Sequence, residues 1–500
     1  MLFNSLLFLV FFVIVFITYW ALPHRFRWML LLVASLFFYG VFIPSYTLVL
    51  IFAVLFNYYF GKWIDKSEED RKRKQLLVWG IIINIGLLAG FKYFNPVSAF
   101  IYQHFHLAPP PDSTFFKIVV PLGISFFTFS NISYLIEIKR RKVVAENHLG
   151  YFASYVTFFP KLIQGPIERP QHFMPQVIEK KVFSYDMATA GLRLMLWGFF
   201  KKLVIADRLA MAVNPVYDNP HNYTGLAIVM ATIFYSIQIY ADFSGYIDIA
   251  RGAGKLLGFD LSKNFNLPYA AKSIKDFWTR WHITLSSWLR DYIFLPVAFA
   301  VSRNLKKDRY LGMKTDNIIY SLAISVTFVL CGIWHGVGWT FLTWGAMYAV
   351  YLIIGHLTEK AKRRFYKKRG IINYKILFSS FQILVTFTLV TFAWLFFRAN
   401  SMNDAINLFT NIFTGWGQLA SVQAVLGTFI NPVFSKWEFL IIIFCVPLMF
   451  LTEYLISTRK YKEMFFRIPL VLRWGFYYFI ILFIFTFGKF DNQAFVYFQF

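Results

Sequence analysis

Two histidines are the residues best placed to do chemistry. His335 stands in Cys331-Gly332-Ile333-Trp334-His335-Gly336-Val337-Gly338-Trp339-Thr340, between two stretches each long enough to span a bilayer. A titratable ring at membrane depth is costly, and such residues mark substrate paths and proton relays. The flanking glycines leave the backbone open to close approach, and Trp334 and Trp339 supply apolar walls. Desolvation favours an uncharged imidazole, the form that accepts a proton from a hydroxyl. The expectation is that His335 is a general base. His282 comes directly after Phe277-Trp278-Thr279-Arg280-Trp281. It reads either as a second site residue or as part of a structural network with Trp278, Arg280, Trp281, Arg290 and Asp291.

Carboxylates and bases gather just upstream. Asp242, Ser244 and Asp248 lie in Tyr240-Ala241-Asp242-Phe243-Ser244-Gly245-Tyr246-Ile247-Asp248, with Arg251 and Lys255 next along the chain. Intramembrane acids can mark an ion path, so a transporter is a competing reading. The chain shows no paired halves with matching broken helices to support it. A scaffold of an export complex is a third reading. Arg251, Lys255, Arg280 and Arg290 could hold an anionic group through bidentate contacts, or tie an Arg–Asp network together. No short ligand spacing accompanies the histidines, so no metal is expected. The G-x-S-x-G turn of a serine hydrolase is missing. Cys331 reads as a small packing residue one helical turn from His335.

The elements that must position these residues are apolar. The 500 residues are 58% hydrophobic, 21% aromatic and 15% charged, against about 25% charged in soluble domains. Candidate spans fall near 2–20, 28–43, 45–61, 76–93, 115–137, 187–206, 224–250, 317–334, 336–356, 373–398, 438–456 and 469–488. The first lacks a basic leader and a small-residue cleavage site, so it reads as a retained helix. Apolar pieces near 150–163 and 291–301 are too short to span and read as re-entrant or interfacial, and 402–415 reads as a helix lying on the outer surface. Block 240–296 is too polar for a lipid-facing span and too aromatic for a solvent loop.

The net charge of +25 reads as positive-inside decoration of loops rather than as a nucleic-acid surface. Bases cluster at Lys62–Lys74, Lys139–Lys142, Lys360–Arg369 and Arg459–Arg467. Placing these clusters in the cytoplasm puts both termini outside and His335 towards the outer half of the membrane. Two cysteines, both in apolar runs, allow no disulfide framework.

Longer motifs add a resemblance. The runs Asp242-Phe243-Ser244-Gly245-Tyr246-x-Asp248, Asn264-Phe265-x-x-Pro268-Tyr269, Phe277-Trp278-x-Arg280-Trp281-His282-x-Thr284-Leu285-Ser286-x-Trp288-Leu289-Arg290-Asp291-Tyr292 and Gly332-Ile333-Trp334-His335-Gly336-x-x-Trp339-Thr340 resemble the membrane-bound O-acyltransferases. Pro121–Phe129, Gln164–Arg169, Trp394–Ala399 and the terminal Phe495–Phe500 resemble the bacterial branch that acetylates alginate, peptidoglycan and other exported polysaccharides. One departure is Tyr348, where many members carry a histidine. The resemblance covers nearly the whole chain. It implies one membrane domain over 1–500, with N-terminal helices 1–145, a catalytic core 146–370 and C-terminal helices 371–500. It implies an all-α polytopic fold, about 11–13 transmembrane or re-entrant helices in a ring around a thinned centre with funnels from both faces. His335 would be the catalytic histidine and His282 the second signature histidine. Asp242, Ser244, Trp278, Arg280, Trp281, Arg290, Asp291, Trp334 and Trp339 would line the substrate. Acetyl-CoA would be the donor substrate, with no permanently bound cofactor. A periplasmic SGNH-type acetyltransferase, a polysaccharide acceptor and membrane lipids would be the partners, in a bacterial inner membrane. Lipid or teichoic-acid-type acceptors are the alternatives.

Overall fold

Apolar runs fold here as helices because a helix satisfies its backbone hydrogen bonds within its own segment, which a bilayer interior demands. A computed structural model describes residues 1–105, 118–310, 312–417, 421, 427, 434–458, 467–490 and 495. Among these residues the only sheet is a two-residue antiparallel pair, Arg309–Tyr310 (β1) with Met313–Lys314 (β2). Eight of the described helices are long and apolar enough to cross a membrane. The protein is all-α and multi-pass.

Backbone proximity groups the chain into two units. The first holds residues 1–199 and 246–262. It contains α1 (Leu6–Ala21), α2 (His24–Gly40), α3 (Tyr46–Lys66), α4 (Asp70–His104), α5 (Ile124–Lys139), α6 (Leu149–Thr157), α7 (Phe159–Leu162), α8 (Pro170–Ile178) and α9 (Tyr185–Phe199). The second holds residues 200–245 and those from Lys263 to the end of the described chain. It starts with a π-helix, Phe200–Ala206, and α10 (Asp207–Asp218). The long α11 (Gly225–Leu256) gives its residues up to Gly245 to the second unit and the rest to the first. Then come α12 (Ile274–Arg280), α13 (Ile283–Leu289), α14 (Leu295–Asn304), α15 (Thr315–His335), α16 (Trp339–Lys368), α17 (Lys375–Arg398), α18 (Met402–Asn411), α19 (Lys436–Ser457) and α20 (Leu470–Phe487).

Several elements differ from the expected spans, each for a local reason. Of the run 115–137, residues 118–123 are not helical and the helix begins at Ile124; residues 115–117 lie outside the described residues. Gly123 before it is left-handed at φ 75°, and a Cβ there would lie 2.5 Å from the Leu162 carbonyl. With 16 or 17 residues, α1, α2 and α5 are about 24–26 Å long, shorter than a hydrocarbon core of about 30 Å. The reverse holds for α4, whose 35 residues reach about 52 Å. Its basic first turns therefore extend past the apolar layer. The piece near 150–163 breaks at Phe158 into α6 and α7, both buried and too short to span. In block 240–296, residues 240–256 continue α11, and residues 257–296 are irregular and short-helical. In α18, Ala405 and Leu408 are buried while Ile406 and Phe409 are exposed. The bases Arg459, Lys460 and Lys462 and residues 496–500 lie outside the described residues.

Exposure separates two kinds of long helix. Only 6% of the apolar window of α20 is buried, against 72% for α11. The first therefore presents its Leu, Val and Phe side chains outward to lipid, and the second is a core helix that happens to be apolar.

Candidate active site

Helices α15 and α16 form an antiparallel hairpin whose close packing depends on small residues. A Cβ on Gly332 would sit 2.5 Å from the Phe341 carbonyl oxygen, and one on Gly345 would sit 2.3 Å from that of Phe328. Small residues let membrane helices approach this closely. Farther along the hairpin, His356 Nε2 lies 3.2 Å from Asn317 Oδ1 in the same register. The first helix stops at His335 because Gly336 is extended, and the Gly336 N–H closes the last turn onto the Gly332 carbonyl at 3.3 Å. His335 thus sits 21 residues along its helix, about 31 Å and one bilayer thickness from the Lys314 end. It is buried, at 5% exposure.

Rings from three helices enclose it. The Trp334 ring lies 4.5 Å from that of His335, Trp344 of α16 lies edge-on at 4.9 Å, and Phe397 of α17 edge-on at 5.1 Å. Trp344 in turn meets Trp278 at 5.9 Å and Tyr348 at 5.1 Å. The indole nitrogens of Trp278 and Trp344 are buried and have no hydrogen-bond partner among the described residues. Buried donors of this kind are normally satisfied by something.

His282 lies between α12 and α13, is 1% exposed, and has a left-handed backbone at φ 42°. That conformation costs an L residue about 1–2 kcal/mol. Its ring stands edge-on to Phe243 of α11 at 4.8 Å. The preceding Trp281 touches Trp394 at 5.1 Å, and Trp394 stacks on Trp344 at 6.0 Å. A run of three indoles therefore connects the His282 segment to the His335 cage, all within the second unit.

The remaining candidates are placed unequally. Trp334, Trp278 and Trp281 belong to this aromatic assembly. Ser244 is buried on α11, with no partner for its hydroxyl among the described residues. Trp339 turns outward at 72% exposure, because it opens α16 on the face away from the hairpin packing. Arg280 pairs with Asp276 at 2.7 Å. Arg290 pairs with Asp291 at 2.8 Å and is largely exposed. Arg251 donates to the Leu261 carbonyl at 3.1 Å, and Lys255 pairs with Asp260 at 2.6 Å.

Asp242 is held by a residue not singled out from the sequence. Lys202 Nζ lies 2.8 Å from Asp242 Oδ1 and 2.8 Å from Asp207 Oδ1, with all three side chains buried. Beside it, Lys201 pairs with Glu453 of α19 at 3.2 Å. Six residues on from Lys202, Arg208 pairs with Glu438, which Lys489 also contacts at 2.8 Å. Both lysines lie on the π-helix, a form frequent at functional sites. Two lysines inside the apolar run 187–206 were the available signal, since buried charges require partners. Trp344 and Phe397 were missed for another reason: aromatic residues are common in every span here, and only packing selects those that meet His335.

The model of the MBOAT, membrane-bound O-acyltransferase family, matches residues 127–398. The chain is 33% identical to a peptidoglycan O-acetyltransferase of Helicobacter pylori over 404 residues, covering 76% of this chain and 72% of that protein. It is 33% identical to a probable alginate O-acetylase of Pseudomonas aeruginosa over 434 residues, 85% of this chain and 77% of the relative. A teichoic acid D-alanyltransferase of Bacillus subtilis is 29% identical over 311 residues, 58% of this chain and 75% of the relative.

Proposed function

This chain belongs to the membrane-bound O-acyltransferase family, and from that premise we propose that it moves an acetyl group from cytoplasmic acetyl-CoA across a bacterial inner membrane, for O-acetylation of an exported or cell-wall polysaccharide. The family and the relatives make it an O-acyltransferase. The donor, the acceptor and the residues that act are this proposal.

The observation that carries it is the enclosure of His335 by Trp334, Trp344 and Phe397 at the end of α15. A base in a dry aromatic cage takes a proton without competition from bulk water. In the proposed step an acceptor hydroxyl oxygen bonds to the thioester carbonyl carbon while His335 takes the hydroxyl proton. The carbon–sulfur bond then breaks, and the leaving thiolate of CoA recovers the proton from the imidazolium. The indole N–H groups of Trp278 and Trp344 are the donors available for the oxyanion of the intermediate. His282 positions the thioester. The hydroxyl belongs to the polysaccharide itself or to the serine of a periplasmic SGNH-type partner. The alginate and peptidoglycan relatives favour a polysaccharide destination over a lipid one. The teichoic acid relative covers less of the chain.

The test is release of free CoA from labelled acetyl-CoA by purified protein, wild type against His335→Ala. Turnover by the wild type and its loss in a variant with an unchanged melting curve is the expected result. Equal thioester cleavage by both would overturn the role of His335. Cleavage by neither, with a candidate periplasmic partner added, would overturn acetyl-CoA as donor.

A further inference from the structure

The left-handed backbone of His282 is held from outside its own segment. Asn266 N–H donates to the Arg280 carbonyl at 3.0 Å on one side of the histidine, and Ile283 N–H donates to the Asn264 carbonyl at 2.9 Å on the other. The side chain of Asn264, fully buried, completes the clamp. Its Oδ1 accepts from Thr284 N–H at 3.1 Å and from Thr284 Oγ1 at 2.6 Å.

The arrangement departs from ordinary helix capping. His282 is the residue before the first turn of α13, where the resident side chain usually caps the exposed N–H groups. Here the imidazole makes no cap bond to that turn. Asn264, 18 positions earlier in the chain, does the capping instead. The histidine is thereby kept in a conformation that L residues resist, and its ring is directed to Phe243 rather than to its own helix.

We infer that Asn264 is a positioning residue for acyl transfer, acting through His282 by fixing the backbone from which that imidazole projects. This rests on the proposed part of His282 in the reaction. A ring placed even about 1 Å from its working position can cost about a hundredfold in rate. A clamp of four hydrogen bonds around one strained residue is a way to prevent that.

The experiment uses the full-length protein in detergent, with acetyl-CoA as probe. Asn264→Ala, Asn264→Asp, Thr284→Val, His282→Asn and the double variant Asn264→Ala/His282→Asn are compared with wild type. Asn264→Ala is expected to lower kcat by about 10- to 100-fold while KM for acetyl-CoA stays put. Asn264→Asp, which keeps an oxygen for both Thr284 bonds, recovers most of the rate. Thr284→Val removes one bond of the clamp and shows a smaller loss in the same direction. It keeps the test open if Asn264→Ala fails to fold. The double variant is no slower than His282→Asn alone, because residues acting as a unit are not additive. A double variant showing the product of the two single losses would overturn the inference. Full activity of His282→Asn would instead remove the reading on which it rests. A readout independent of turnover is the imidazole resonance of His282 in histidine-labelled protein, assigned by its loss in His282→Asn. Asn264→Ala should shift it and leave the His335 resonance in place. An unshifted His282 resonance would equally overturn the positioning role, whatever the donor proves to be.

Discussion

At the scale of single residues, buried charge and its partners decide most. The Lys202 ammonium reaches both Asp207 and Asp242. Removing one partner of a buried ionic group costs about 3–5 kcal/mol, whereas replacing the whole group by apolar or neutral residues can be nearly neutral. Lys202→Met should therefore lower the thermal midpoint in detergent sharply, and Lys202→Met/Asp207→Asn/Asp242→Asn should recover much of it. A Lys202→Met protein as stable as wild type would show that Asp242 does not depend on this lysine. In the first unit, Glu168 is buried and accepts from Ser262 Oγ at 3.0 Å and meets His172 Nδ1 at 2.7 Å. The hydrogen bond to Glu168, opposed by partial burial and helped by the charges of Glu168 and Asp260, raises the His172 pKa above its ordinary 6.5. A raised folded-state value means that the pair's contribution is complete below about pH 6.5 and is lost as pH rises through the shifted pKa. Since His172 is half exposed, the effect is small. The stability advantage of wild type over His172→Gln should be present at pH 6 and shrink as the pH rises through the raised pKa. An advantage that grows with pH would contradict the pairing.

At the scale of elements, the α15–α16 hairpin is the part least tolerant of change. Gly345→Ala pushes a methyl into the Phe328 carbonyl, and Gly332→Ala does the same to Phe341. Each should cost about 1–3 kcal/mol by overpacking and displace His335 with the helix end, so activity should fall along with stability. Gly355 lies farther along α16 with no atom within 4 Å of an added Cβ. Gly355→Ala should leave activity alone and stabilise by about 0.5–1 kcal/mol through helix propensity. Thermal midpoints and thioester cleavage of the three variants check this together. Equal behaviour of Gly345→Ala and Gly355→Ala would refute the close-packing account.

At the scale of the whole molecule, the charge pattern predicts an orientation. Basic runs at 62–74, 139–142 and 360–369 belong on the cytoplasmic side by the positive-inside rule. Both ends of the α15–α16 hairpin then face the cytoplasm, and His335 lies a bilayer thickness away. Cysteines introduced at Gly370 and Lys72, in a background without Cys331 and Cys445, should be shielded from a membrane-impermeant thiol reagent in intact cells. Labelling of either from outside would invert the orientation and remove the cytoplasmic route for the donor.

Much of this was legible in the residue order. Long uncharged runs determined that the chain is helical and multi-pass, because only segments that satisfy their own backbone groups survive in lipid. The ordered aromatic, glycine and histidine motifs pointed to the O-acyltransferases. His335 stood out because an isolated imidazole between two spans is costly, and Gly332 and Gly336 beside it announced a tight approach. Tertiary structure decided the rest. Whether Trp339 or Trp344 faces His335 depends on the rotation of α16 about its axis, which the period of a uniformly apolar helix does not reveal. The partnership of Lys202 with Asp207 and Asp242 joins positions 40 apart across a π-helix that has no sequence signature. The clamp of Asn264 on the turn after His282 required a left-handed histidine, a conformation uncommon for residues with a side chain and held here by hydrogen bonds from a neighbouring segment.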